Sequence, residues 1–223
     1  MHQQHMTHHP IAPADITGLI LAGGRGSRMG GLDKGLQGFN GTPLVQRTLM
    51  RLVPQVGTVM LNANRNLAAY AAFDTEVWPD ATADFAGPLA GFLVGFAHAR
   101  TPYLLCVPCD TPRLPLDLAE RLSTALLKED AEMAMAAAPQ VQADGCIEIR
   151  PQPVFCLMKV SLADSLAKFT QAGGRKVGAW AAQHKTALVP FDTPSDDPLA
   201  FANVNTLTEL QALEGAAPSP STR

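Results

Sequence analysis

The sequence has little of what several large protein classes depend on. No apolar run reaches the roughly 18 residues of a membrane helix before a glycine, a proline or a charge interrupts it, so no membrane partner is expected. The opening stretch MHQQHMTHHPIAPAD has neither the basic start nor the apolar centre of a secretory signal, which makes the cytoplasm the expected location. Only 17% of residues are charged and the net charge is -3, so nothing supplies the basic surface that nucleic acid binding needs. Cysteine is sparse: Cys106, Cys109, Cys146 and Cys156 are too few for a disulfide scaffold and are expected as thiols. Between Asp33 and Asp74 there is no acidic residue at all.

What is present is apolar and alternating. A chain of 223 residues, 47% of them hydrophobic, is long enough to bury the core of one domain. Strand-like runs fall at 16–22, 57–63, 103–109, 131–138, 153–158 and 186–191, and amphipathic helical stretches at 43–54, 88–99, 115–128, 161–172, 176–183 and 207–214. Strands that are apolar on both faces and separated by helices predict an α/β fold in three layers, with a mainly parallel, mixed sheet covered by helices on both sides. A single domain is expected over 15–215. It lies between a disordered arm at 1–14, which carries His2, His5, His8 and His9, and a disordered tail at 216–223, neither able to offset its own ordering entropy. Thr206 and Glu209 have capping-box spacing at the start of the last helix.

Ligands of such sheets gather at the carboxyl ends of the strands. There the first strand runs into LILAGGRGSRMGG, with Gly23, Gly24, Gly26, Gly30 and Gly31 in a space of nine residues and Lys34 soon after. Glycines let the backbone approach a ligand closely, and Arg28 and Lys34 add fixed positive charge for phosphate oxygens. A Walker loop is excluded because no Gly-Lys-Ser/Thr follows the spacing. The dinucleotide fingerprint fails twice, with Met29 at its third position and no acid about 20 residues on for a ribose. LNANR ends the second strand and CVPCDTP the strand that begins at Tyr103. Three strand ends bearing polar residues therefore converge on one crevice. Cys106 and Cys109, three apart in a strand, point to opposite faces and do not suit a redox pair. His98 and His184 close helices, where a cation-capable residue suits the dipole.

Taken in order, LAGGRGSRMGGLDKGL, LNANR, DFAGPLAG, PCDTP and FANVNT resemble the molybdenum cofactor guanylyltransferases, within the wider nucleotidyltransferase group and its Rossmann-like fold. The resemblance spans roughly residues 16–215. It implies transfer of GMP from GTP to molybdopterin with release of pyrophosphate, Mg²⁺ as cofactor, and transient contact with cofactor-synthesis proteins and apo-molybdoenzymes. It implies that Leu21, Ala22, Gly23, Gly24, Lys34, Asn62, Asp80, Gly87, Gly91 and Asp110 bind the nucleotide. Arg28, Lys34 and Asp110 match catalytic positions, Asp110 also holding the metal, while Arg175, Lys176, Asn203 and Asn205 match the pterin side. At Lys176 the family carries an arginine.

The residues themselves leave two points open. Either Asp80 or Asn62 is placed to accept the N1–H and N2–H donors of guanine. Gly87 and Gly91, with Pro88 at a helix start, aim free amides at a phosphate, allow close packing of helix on sheet, or do both. The acceptor in the implied reaction is a phosphate monoester, with a second pKa of about 6 and so ionised at neutral pH, and cations and oriented N–H groups rather than a general base are what it requires. A cytidylyl or sugar-phosphate nucleotidyltransferase and a non-catalytic carrier of nucleotide or cofactor are the alternatives. Lys34 together with Asp110 favours an enzyme over a carrier.

Overall fold

The computed structural model describes residues 9–24, 32–81, 87–142 and 144–215. In chain order it has β1 (Ile16–Leu21), β2 (Gly38–Phe39), β3 (Thr42–Pro43), α1 (Leu44–Leu52), β4 (Thr58–Asn62), α2 (Leu67–Ala71), β5 (Glu76–Trp78) and α3 (Pro88–His98). There follow β6 (Tyr103–Pro108), α4 (Leu118–Lys128), β7 (Met133–Val141), β8 (Ile147–Lys159), α5 (Ala163–Gln171), α6 (Val177–Ala181), β9 (Thr186–Pro190) and α7 (Leu207–Gly215). The main sheet runs β5-β4-β1-β6-β8-β7-β9. β5, β4, β1 and β6 are parallel, β7 is parallel to β9, and β8 lies antiparallel to both its neighbours. The expected α/β sheet, mainly parallel but mixed, is what forms.

Alternation along the strands builds two cores. Ile16, Ile20, Leu105 and Val107 face Leu49 and Leu52 of α1 and Leu118, Leu122 and Leu126 of α4. Leu19, Met60 and Leu104 face Phe92 and Phe96 of α3, Leu166 of α5 and Trp180 of α6. Cys106 belongs to the second core and Cys109 to the first, as their spacing predicts, and all four cysteines are free. Packing begins ahead of β1, where Ile11 lies against the first core. Residues 1–8 and 216–223 lie outside the described residues. No helix among the described residues is long and apolar enough to cross a membrane.

Three features depart from the sequence reading. α2, β5 and the β2–β3 hairpin are too short for a periodic signal, and β5 is held at the sheet edge by β4 alone. α4 starts at Leu118 rather than 115 because the buried Gln55 caps it from another element: its Oε1 accepts from Ala119 N (2.9 Å) while its Nε2 donates to Pro115 O (2.8 Å). β7 and β8 are longer than expected, running past the sheet as a two-stranded ribbon through Ala138↔Arg150 and Val141↔Ile147. Beyond Ala138 the ribbon is exposed and mixes Gln140, Glu148 and Arg150 with Val141, Ile147 and Ile149, and so lacks the continuous apolar run that marks the buried part of the same strands.

Both histidines expected to close helices are structural fastenings, though only His98 ends one; His184 lies three residues beyond α6. His98 stacks on Trp78 with ring centroids 3.6 Å apart. His184 is bonded to Ser165 Oγ (2.8 Å) and Glu132 Oε2 (3.2 Å) and lies edge-on to Trp180.

Candidate functional site

The parallel ladders continue one residue past their strands and so fix the floor of a cleft. Ala22 N donates to Asn62 O (2.8 Å), Cys109 N to Leu21 O (3.0 Å) and Ala63 N to Trp78 O (3.2 Å). The carboxyl ends of β1, β4, β5 and β6 are thereby held side by side, each followed by a polar segment.

Above β6 stands Asp110. Lys34, which opens a single 3-10 turn (Lys34–Leu36), reaches over to it with Nζ 3.4 Å from Asp110 Oδ2, and donates to Asn205 Oδ1 at 2.8 Å. The segment carrying Asn205 is sewn to β6's end: Val204 N donates to Asp110 O (3.0 Å), and the buried Thr111 hydroxyl donates to Asn203 Oδ1 (2.9 Å). The capping box of α7 is present, with Thr206 N donating to Glu209 Oε2 (3.2 Å) and Glu209 N to Thr206 Oγ1 (3.1 Å). Asn205 N also donates to Glu209 Oε2 (2.6 Å), so the helix cap itself sets the height of Asn205 over Lys34. Burial pushes the Asp110 carboxyl above the ordinary carboxylate range, and the Lys34 ammonium pulls it part of the way back.

A second group stands above β4 and β5. Asn62, buried at the end of β4, donates from Nδ2 to Trp78 O (3.1 Å) and to Asp80 Oδ1 (2.8 Å). Asn64 donates from Nδ2 to Asp80 Oδ2 (2.7 Å), and its Oδ1 accepts from Asp80 N (2.8 Å). Two amides therefore aim one carboxylate. Asn64 was not singled out from the sequence; the only signal was its place as the second asparagine of NANR.

α3 descends from this edge with Gly87 as its N-cap, at φ 141°, and Pro88 as its first residue. A Cβ on Gly91 would come within 2.7 Å of Asn62 Oδ1 and closer still to the Leu21 side chain, so close packing of helix on sheet is what Gly91 provides. Gly91→Ala is expected to destabilise the fold by about 1–3 kcal/mol through overpacking. Thermal melting checks it, with a drop in Tm of several degrees expected. Gly23 packs on the same asparagines, its Cβ position 2.9 Å from Asn64 Nδ2, while Gly24 has open space around it.

The remaining residues divide by position. Arg28 lies outside the described residues, as do Gly26, Gly30 and Gly31. Arg175 and Lys176 are exposed in the turn between α5 and α6, on the α3 side of the sheet, whereas Asn203 and Asn205 adjoin Asp110 ahead of α7.

Residues 18–187 match the family model of the MobA-like NTP transferase domain, which sets this sheet and cleft among the NTP transferases. Solved structures share the architecture. The molybdopterin-guanine dinucleotide biosynthesis protein A of Archaeoglobus fulgidus is 20% identical with a TM-score of 0.69, over 89% of this chain and 96% of that one. A 4-diphosphocytidyl-2C-methyl-D-erythritol synthase from Anaerococcus prevotii reaches 0.68 at 12% identity, over 91% and 95%. Sequence narrows the class further. A molybdenum cofactor guanylyltransferase of Albidiferax ferrireducens is 65% identical over 206 residues, 92% of this chain and 98% of that protein, and one of Methylibium petroleiphilum is 58% identical over 204 residues, 92% and 98%. The chain belongs to the molybdenum cofactor guanylyltransferase family.

Proposed function

We propose that the chain transfers GMP from GTP to molybdopterin, releasing pyrophosphate and forming the guanine dinucleotide form of the cofactor. The observation that carries this is the Lys34–Asp110 pair, 3.4 Å apart at the carboxyl edge of β1 and β6, in a chain 65% identical to a molybdenum cofactor guanylyltransferase. A terminal phosphate oxygen of molybdopterin attacks the α-phosphorus of GTP, a P–O bond forms, and the bond to the β-phosphate oxygen breaks with its electrons passing to pyrophosphate. No proton has to move. The obstacle is repulsion between two anions, which fixed cations and N–H groups reduce.

The chain's own groups divide that work. The backbone of Leu21, Ala22, Gly23 and Gly24 and the cations Arg28 and Lys34 hold the triphosphate. Asp80 accepts from N1–H and N2–H of guanine. The choice of Asp80 over Asn62 rests on the Asn62 amide being spent on Trp78 O and Asp80, with its oxygen pressed toward Gly91. Arg175 and Lys176, in the turn between α5 and α6, and Asn203 and Asn205, beside Asp110, are assigned to the pterin as two separate groups. Asp110 fits Mg²⁺, which takes one or two carboxylates and fills its remaining positions with phosphate oxygens and water. When bound, the metal neutralises triphosphate oxygens and the departing pyrophosphate. The product is to be handed to apo-molybdoenzymes in the cytoplasm, in transient contact with cofactor-synthesis proteins.

Pyrophosphate release by the purified protein tests the reading, with GTP, CTP, ATP and UTP compared. Release with GTP alone, dependent on both molybdopterin and Mg²⁺, is the expected result. Release with CTP instead would overturn the base assignment, and tight nucleotide binding without release from any of the four would make the protein a carrier.

A further inference from the structure

Lys34 is flanked on both sides by residues that rest on one buried tyrosine. Asp33, ahead of it, is 7% exposed. Its Oδ1 accepts from the Tyr70 hydroxyl at 2.5 Å, its Oδ2 accepts from Asn66 Nδ2 at 2.9 Å, and Arg65 Nε lies 3.4 Å from the same oxygen. Its main-chain oxygen accepts from Gln37 Nε2 (2.9 Å), across the turn that Lys34 opens. Gly35, behind Lys34, packs against the other side of the contact: a Cβ there would stand 2.5 Å from Tyr70 Oη. Tyr70 itself is fully buried in the first core, at 0% exposure. Burial first, then the neighbouring Cys109 and Asp33, raise the pKa of its phenol, so it stays protonated and donates.

A buried carboxylate with a donor on each oxygen is expensive to assemble, and here the backbone contributes as well. Asn66, the N-cap of α2, is held at φ 51° and ψ 33°, in the left-handed region that non-glycine residues seldom adopt. That conformation accompanies an amide directed at Asp33 rather than at its own helix. The segment after β4 thus grips the chain immediately before Lys34, and the same tyrosine bears on the residue immediately after it.

We propose that Tyr70, through Asp33 and with Asn66, is the positioning device of the site, setting the backbone from which Lys34 spans to Asp110 and Asn205. None of the three touches substrate; they act through Lys34. The inference rests on the assignment of Lys34 to the triphosphate made above. It extends that assignment to residues in the wall behind the cleft.

A double-mutant cycle separates positioning from plain structural support. Tyr70→Phe removes one hydroxyl and keeps the ring in the core. It is expected to slow pyrophosphate release about tenfold and to weaken GTP binding less, since misplacing a catalytic cation costs more in the transition state than in the ground state. In a Lys34→Ala background the same substitution is expected to change neither single-turnover rate nor GTP affinity measured by calorimetry. Asn66→Gly is the second variant, because glycine accepts the left-handed conformation while the bond to Asp33 is lost; it should show the same dependence on Lys34. Equal losses with and without Lys34, or no loss in the parent protein, would overturn the proposal. Full activity of Lys34→Ala by itself would instead sink the site assignment on which it rests.

Discussion

Lys34→Ala is expected to lower the rate of guanylyl transfer by about 10²- to 10³-fold with the fold intact, the loss typical when one preorganised charge-stabilising group is removed. The side chain is part-exposed in the cleft, and its partners Asp110 and Asn205 keep their own backbone ties when it goes. Circular dichroism and melting temperature should therefore change little while turnover collapses. A second signature follows from electrostatics. Burial raises the Asp110 carboxyl and Lys34 opposes that rise, so deleting the ammonium moves the carboxyl further up. Asp110 works as the carboxylate, and the acid limb of the pH–rate profile should accordingly shift to higher pH in the variant. An unchanged limb together with unchanged turnover would remove Lys34 from the site.

Asp110→Asn has an effect of similar size by a different route. Asparagine keeps the shape and an oxygen for Lys34 but loses the charge that suits a divalent cation, and a loss of about 10³-fold in Mg²⁺-dependent turnover is expected. Titration of GTP binding with Mg²⁺ should become nearly flat. Stability should move the opposite way. A carboxyl whose pKa is higher in the folded chain than in the unfolded one loses folding free energy as pH rises through that value. At neutral pH the Asp110 charge therefore opposes folding, and the neutral variant should melt no lower than the parent. A fall in both Tm and activity would make Asp110 a structural residue.

Much of this architecture was legible because it depends on burial. Strands such as Ile16–Leu21 and Tyr103–Pro108 are apolar on both faces, and the sequence shows them as continuous runs whose polar followers mark the cleft edge. The glycine loop, Asn62 and Asp110 stood out for the same reason, as polar or unencumbered residues where a core needs none, whereas Asp80, behind the short β5, was marked only by the family resemblance. What was hidden depends on partners distant in sequence. Gln55 capping α4 and Tyr70 holding Asp33 look like ordinary helix-end and core residues until the chain has folded around them. The packing role of Gly91 became visible only with its distance to Asn62. Asn205 was read as a pterin-side residue, and only the structure brings it onto Lys34.

That last bond has a meaning for how the protein is made. Lys34 and Asn205 are 171 residues apart in sequence, so the loop their contact closes contains nearly the whole domain. Contacts of such separation form late in folding, after the local and strand-to-strand ones have already been satisfied. A chain that stops after β9 holds most of both cores but has no Asn205 to receive Lys34, and one that stops just before α7 has Asn205 without the Glu209 carboxylate that fixes its backbone N–H. The surroundings of Lys34 are thus completed only by the last segment of the domain, which makes the cleft depend on an intact C-terminal part.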